Sequence, residues 1–238
     1  MRNHFLTISF SLLFLPYYNS EKIDEVSFGK ERNREEYSRT NDAAVLYAEM
    51  NLSSLGLSQQ AFEYAYKGYR NLIEKEKLAD TCILTICDLS QSSNKKRLYI
   101  LDLDNNKVLL NTYVAHGRGS GTEYALRFSN KAKSHQSSLG FYLTGSTYYG
   151  QNGLSLSMKG LEPGFNDLAA RRNIVIHGAA YIGDQFLGLN RCMGRSYGCP
   201  AVPENECSTI INLIKGGSCL FIYHSTKNYL KKSKILNG

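Results

Sequence analysis

Two residues set the chemistry this chain can attempt. His177 closes the apolar run Asn173-Ile174-Val175-Ile176 and is followed by Gly178-Ala179-Ala180-Tyr181. Cys199 sits in Gly194-Arg195-Ser196-Tyr197-Gly198-Cys199-Pro200-Ala201-Val202-Pro203. A thiol is a strong nucleophile once deprotonated, and an imidazole is the side chain best matched to removing its proton near neutral pH. His177 falls where a strand is expected to end in a Gly-containing turn, which would hold the ring at an open edge. Cys199 falls in a Gly-rich loop ahead of a predicted helix, whose positive end would favour thiolate. Pro200 has no N–H, so the loop's oxyanion donors would be the amides of Gly198 and Cys199. A nucleophile, a base and an oxyanion site suffice for acyl transfer. The same residues also suit a buried Cys in a turn and a satisfied strand-end His, and spacing alone leaves the two readings level.

Other candidates carry less. His116, in Ala115-His116-Gly117-Arg118-Gly119, could line a cleft or brace a turn. The Gly117–Gly121 stretch lacks the Lys-Ser/Thr ending of a phosphate loop. No Cys or His pairs have zinc-site spacing, so neither a metal nor another cofactor is expected.

The elements that must position these residues follow from pattern. Ser58 caps a helix with Phe62, Tyr66, Tyr69 and Ile73 on one stripe, the second arm of a helical hairpin over 41–79. From residue 81 the pattern is that of strands. Runs at 81–88, 97–103 and 108–114 flank the turn Asp104-Asn105-Asn106-Lys107, predicting a β-hairpin. Further strands are expected at 140–144, 154–158 and 173–176. Pro203 is expected to open a helix through Ile210, Ile211 and Ile214, ahead of a final strand, 219–223. The fold class is α+β, a mostly β domain over 80–225 behind a short helical hairpin, with a basic C-terminal tail at 226–238.

Composition bounds the setting. The 238 residues include 28 Lys+Arg, 21 Asp+Glu, six Cys and four Pro, ordinary globular usage that excludes coiled-coil and collagen-like chains. Residues 1–104 hold 13 basic and 15 acidic side chains, residues 105–238 hold 15 and 6, so the positive charge belongs to the half with His177 and Cys199. That suits an anionic partner. Met1-Arg2 precedes an apolar run, Phe5–Leu15, too short to span a bilayer and suited to a secretory signal at 1–20. A charged linker at 21–40 follows. No later run suggests a membrane anchor, and the basic half has no nucleic-acid module. The chain is expected to be a soluble, exported protein.

The order strand–His-Gly, 18 intervening residues, then Ser196-Tyr197-Gly198-Cys199 resembles the murein L,D-transpeptidase catalytic domain family, with its YkuD-like fold. Gly194-Arg195-Ser196-x-Gly198-Cys199-Pro200-Ala201-Val202 and the segments 102–108 and 138–142 carry the likeness over about 80–225. The usual second His is Tyr197 here, which cannot act as a base near neutral pH. The resemblance implies that Cys199 attacks the third residue of a peptidoglycan stem tetrapeptide, releasing terminal D-Ala and forming a thioester. It makes His177 the base, oriented through Gly178. It makes Arg195 a carboxylate anchor or a loop brace, and Ser196, Tyr197 and Tyr181 substrate-facing. Carbapenem-type inhibitors are then expected to react. A stem amine as acceptor gives a transpeptidase and water gives an L,D-carboxypeptidase. A non-catalytic wall-binding protein, its Cys199 buried or bridged, is the remaining alternative. With Cys199 kept as a thiol, the other five Cys allow at most two internal bridges, and Cys192 is the one closest in sequence.

Overall fold

The computed structural model describes residues 42–238. The expected signal peptide (1–20) and linker (21–40) lie outside these residues. Helix α1 (42–49) and a 3-10 turn, Leu52–Leu55, lead to α2, Gln59–Glu74. Ser58 caps α2 by accepting the Ala61 N–H at 3.2 Å. The buried stripe is Ala61, Phe62, Ala65, Tyr66, Gly68, Tyr69 and Leu72, and Ile73 sits at its margin. At Gly68 a Cβ would lie 2.0 Å from the Phe141 ring, so the missing side chain lets the helix settle onto the sheet.

The sheet is built from β1 (Ile83–Asp88), β2 (Leu98–Asp102), β3 (Lys107–Thr112), β4 (Gly140–Gly150), β5 (Gly153–Gly160), β6 (Val175–Ala179), β7 (Ala201–Pro203) and β8 (Cys219–Tyr223). Their order is β3-β2-β1-β8-β4-β5-β6-β7. Neighbours are antiparallel except β1 with β8 and β6 with β7. β1 and β8 are buried at every position, so the middle of the sheet is covered on both faces. Phe141 and Phe221 stack there, 4.1 Å between centroids. The predicted 104–107 turn joins β2 to β3, fixed by the Asp102 carboxylate accepting from the amides of Asp104 and Asn105. The α+β class expected from the sequence is observed, and β7 is a strand that the sequence pattern did not predict.

Three local expectations change. His177 lies at the centre of β6, not at a strand end. Gly178 continues the ladder opposite Val202, and a Cβ there would meet Glu204 Cα and Cys207 Cβ at 3.1 Å, so this glycine serves close packing and not a turn. Pro203 does not open the late helix. It ends β7 at φ −53° and ψ 133° and precedes a 3-10 turn, Glu204–Glu206; a short α3 (Asp184–Leu189) lies between β6 and β7, and α4 spans Cys207–Ile214. Proline's fixed φ suits an extended residue as well as a helical one. The basic segment after β8 folds as α5 (Lys227–Lys232) and α6 (Lys234–Asn237). Tyr229, Ser233 and Leu236 are buried, and α6 packs on α2. Among the described residues no helix is long and apolar enough to cross a membrane.

Candidate active site

The parallel pairing of β6 and β7 brings the two candidates together. His177 pairs with Ala201, and Cys199 lies two residues before Ala201 in the loop entering β7. Nδ1 of His177 is 2.9 Å from the Gly178 carbonyl. A carbonyl only accepts, so Nδ1 carries the proton, and a neutral ring then has its lone pair on Nε2. His177 is buried, which limits its freedom to turn away.

The Cys199 loop is braced from within. Ser196 Oγ accepts the Gly198 N–H at 3.0 Å and donates to the Cys199 carbonyl at 2.6 Å. The expected Gly198 oxyanion donor is therefore already engaged. The Cys199 N–H has no partner among the described residues. Gly198 takes φ +126°, where a Cβ would come within 2.8 Å of the Gln136 carbonyl. The segment 115–118 is stitched alongside: Ser196 N–H donates to the His116 carbonyl at 3.1 Å, Arg118 N–H to the Ser196 carbonyl at 2.8 Å, and Ala115 N–H to the Ala201 carbonyl at 2.8 Å.

The thiol is half-buried and donates toward the Asn173 carbonyl at 3.6 Å. Burial pushes its pKa up, against the pull of the Val175 N–H and the Arg172 guanidinium. The helix-dipole expectation is thus corrected in sign. A strand and a 3-10 turn separate Cys199 from α4, whose first residue is Cys207.

Arg172 is the residue that the sequence reading missed. It donates to the carbonyls of Ser129 (2.8 Å) and Gln136 (2.7 Å), to Ser134 Oγ (3.4 Å) and to Ser138 Oγ. It thereby gathers the 129–138 segment beneath Gly198. The Arg171-Arg172-Asn173 cluster just ahead of an apolar strand was the available signal.

The remaining candidates separate. Tyr181 is half-buried, and its pKa is raised by burial first and then by charge at Cys199 and Tyr197. Tyr197 is 63% exposed. Arg195 is exposed and Nη1 braces the Gly121 carbonyl at 3.1 Å. His116 is fully buried instead of lining a cleft; its Nδ1 accepts from Arg97 Nη2 at 2.8 Å. Its Nε2 faces the Gly121 and Thr122 main chain without a well-formed hydrogen bond. All six cysteines, Cys192 included, are free thiols.

The family model described as the L,D-transpeptidase catalytic domain (YkuD_2) matches residues 53–223. The chain belongs to this family. The L,D-transpeptidase domain thus includes α2 as well as the sheet. Solved structures similar to it include the helical cell shape determining protein Pgp2 (a K307A mutant) from Campylobacter jejuni, 13% identical, covering 68% of this chain and 57% of that one at a TM-score of 0.40. L,D-transpeptidase 3 from Mycobacterium tuberculosis is 9% identical, with coverages of 60% and 61% and a TM-score of 0.39. An L,D-transpeptidase solved in complex with imipenem is also 9% identical, with coverages of 60% and 59% and a TM-score of 0.36. The chain spans about three-fifths of the length of these L,D-transpeptidases. No curated protein matches it.

Proposed function

We propose that this chain is an exported cysteine acyltransferase that cuts peptidoglycan stem tetrapeptides behind the third residue and passes the acyl group to an amine. The observation that supports this reading is the β6–β7 pairing, in which Ala201, two residues after Cys199, lies opposite a His177 whose Gly178 contact leaves the Nε2 lone pair free. Cys199 Sγ attacks the carbonyl carbon of the third residue while its proton passes to His177 Nε2. The developing oxyanion takes the Cys199 N–H. The C–N bond breaks, His177 returns the proton to the departing D-Ala amine, and a thioester remains. The acceptor amine then attacks, losing a proton to His177, and the thiol is regenerated. Tyr181 and Tyr197 border the stem peptide, with no metal or cofactor in any step, while Ser196, buried and bonded within its own loop, braces that loop instead. Export rests on the N-terminal apolar run, and the excess positive charge of 105–238 suits an anionic wall polymer.

Incubation of the full chain with a disaccharide-tetrapeptide, read by intact mass, tests the reading. Wild type is expected to release D-Ala, and Cys199→Ala to release none. A cross-linked dimer identifies a transpeptidase and a tripeptide alone identifies the L,D-carboxypeptidase. Equal turnover by both proteins overturns the assignment to Cys199, and turnover by neither leaves the wall-binding alternative. Imipenem is expected to add to wild type and not to Cys199→Ala.

A further inference from the structure

Three arginines surround the nucleophile loop, and they differ in what they have left to offer. Arg172 is spent on four oxygens of 129–138. Arg195 is held by the Gly121 carbonyl. Arg118 is exposed and no acidic side chain pairs with it among the described residues. Its guanidinium carbon lies 4.8 Å from the centroid of the Tyr197 ring, with Nη1 3.4 Å from the Tyr197 hydroxyl. The His135 ring meets the same tyrosine at 4.6 Å. Main-chain bonds fix the assembly, because Arg118 N–H donates to Ser196 and Gly119 N–H to His135, each at 2.8 Å.

We infer that Arg118, seated on Tyr197 beside His135, binds the terminal carboxylate of the acyl-donor peptide. This rests on the function proposed above. With Nη1 on the Tyr197 hydroxyl, the guanidinium keeps its Nη2 and Nε N–H groups for a planar, two-point grip on a carboxylate, and the ring holds it at little further entropic cost. Position agrees as well. Tyr197 is two residues from Cys199, a reach of at most ~7 Å along the chain, and the terminal carboxylate is one residue, ~3.6 Å, beyond the scissile carbonyl. The aromatic at position 197 thus has a use that proton transfer does not supply: it is the platform for the charge. The site selects peptides whose leaving residue ends in a free carboxylate.

The test uses the full chain with two tetrapeptide substrates, one ending in a free carboxylate and one in a carboxamide. Wild type is expected to prefer the carboxylate by about 10- to 100-fold in kcat/KM, the range of one charge-assisted contact. Arg118→Ala is expected to lose that preference, with the loss in KM. Arg118→Lys should recover part of it, and Tyr197→Ala should resemble Arg118→Ala. Alkylation of Cys199 by iodoacetamide at the wild-type rate in each variant shows that the nucleophile loop is intact. An active wild type without the preference, or an Arg118→Ala variant that keeps it, overturns the inference alone. A wild type that cleaves neither peptide, releasing neither D-Ala nor its amide, overturns the proposed function and the inference with it.

Discussion

Nη2 of Arg172 donates to the Gln136 main-chain carbonyl across 2.7 Å, and that same carbonyl is the atom a Cβ on Gly198 would strike. One hydrogen bond thus ties the segment that walls the Cys199 loop to a charge that acts on Cys199. Burial raises the Cys199 pKa, and the guanidinium opposes it.

Replacing Arg172 is therefore expected to raise the Cys199 pKa further. Arg172→Gln removes the positive charge. Arg172→Lys keeps it but has three donors in place of the planar fork, so its rise should be smaller. The pH dependence of iodoacetamide alkylation, read at the Cys199 peptide by mass spectrometry, measures both. Each variant should also lose about 1–3 kcal/mol of stability from partners left unsatisfied. An unchanged midpoint in Arg172→Gln would remove Arg172 from the site's electrostatics.

Gly198→Ala tests the geometry separately from the charge. At φ +126° with the Gln136 carbonyl 2.8 Å away, a methyl must shift the loop that carries Cys199. A displacement of about 1 Å at a reacting atom is worth ~100-fold in turnover. Turnover of a tetrapeptide should fall by about that factor, while the melting temperature falls by only a few degrees.

What the sequence disclosed divides along the reach of the interactions. The hairpin at 104–107, the Ser58 cap and the α2 stripe are set by contacts a few residues apart, and they are legible in pattern. His177 and Cys199 are legible as candidates too, because each is a residue type that can carry chemistry. Pro203 and Gly178 misled because each residue type suits two roles. A proline fits the end of a strand as well as the start of a helix, and a glycine serves close packing as well as turning. Arg172 was hidden because its partners lie 34–43 residues away in sequence. The burial of His116 was hidden likewise, since only the folded chain brings Arg97 to it.

His116 is expected to make stability depend on pH. Burial first, and then the Arg97 charge, lower its pKa from 6.5 to about 4. Between those values the unfolded chain binds a proton that the folded chain refuses, so this stabilisation is complete above pH 6.5 and is lost as the pH falls toward 4. The full effect is about 3 kcal/mol. Urea unfolding at pH 7 and pH 4.5 should show most of that difference in wild type. His116→Asn offers Arg97 an acceptor without a titrating ring, and its difference should be smaller by about 3 kcal/mol.

The C-terminal helices are expected to be part of the fold's stability, through Glu162. Its buried carboxylate accepts from the Phe141 N–H at 2.8 Å, from the Tyr229 hydroxyl at 2.7 Å and from the Ser233 hydroxyl. Burial raises its pKa, and the three donors hold that rise down. A raised carboxyl pKa stabilises the fold at low pH and loses that contribution as the pH climbs through it. Tyr229→Phe removes one donor, so the Glu162 pKa should rise again, carrying the pH-dependent loss to higher pH and costing about 1–3 kcal/mol at pH 7. Removing residues 227–238 takes away both hydroxyl donors and the buried Tyr229 and Leu236 side chains, and should cost about 3–5 kcal/mol. Denaturant midpoints of the two variants across pH 5–8 measure these effects, and a truncated chain as stable as the full one would show that α5 and α6 only rest on the domain.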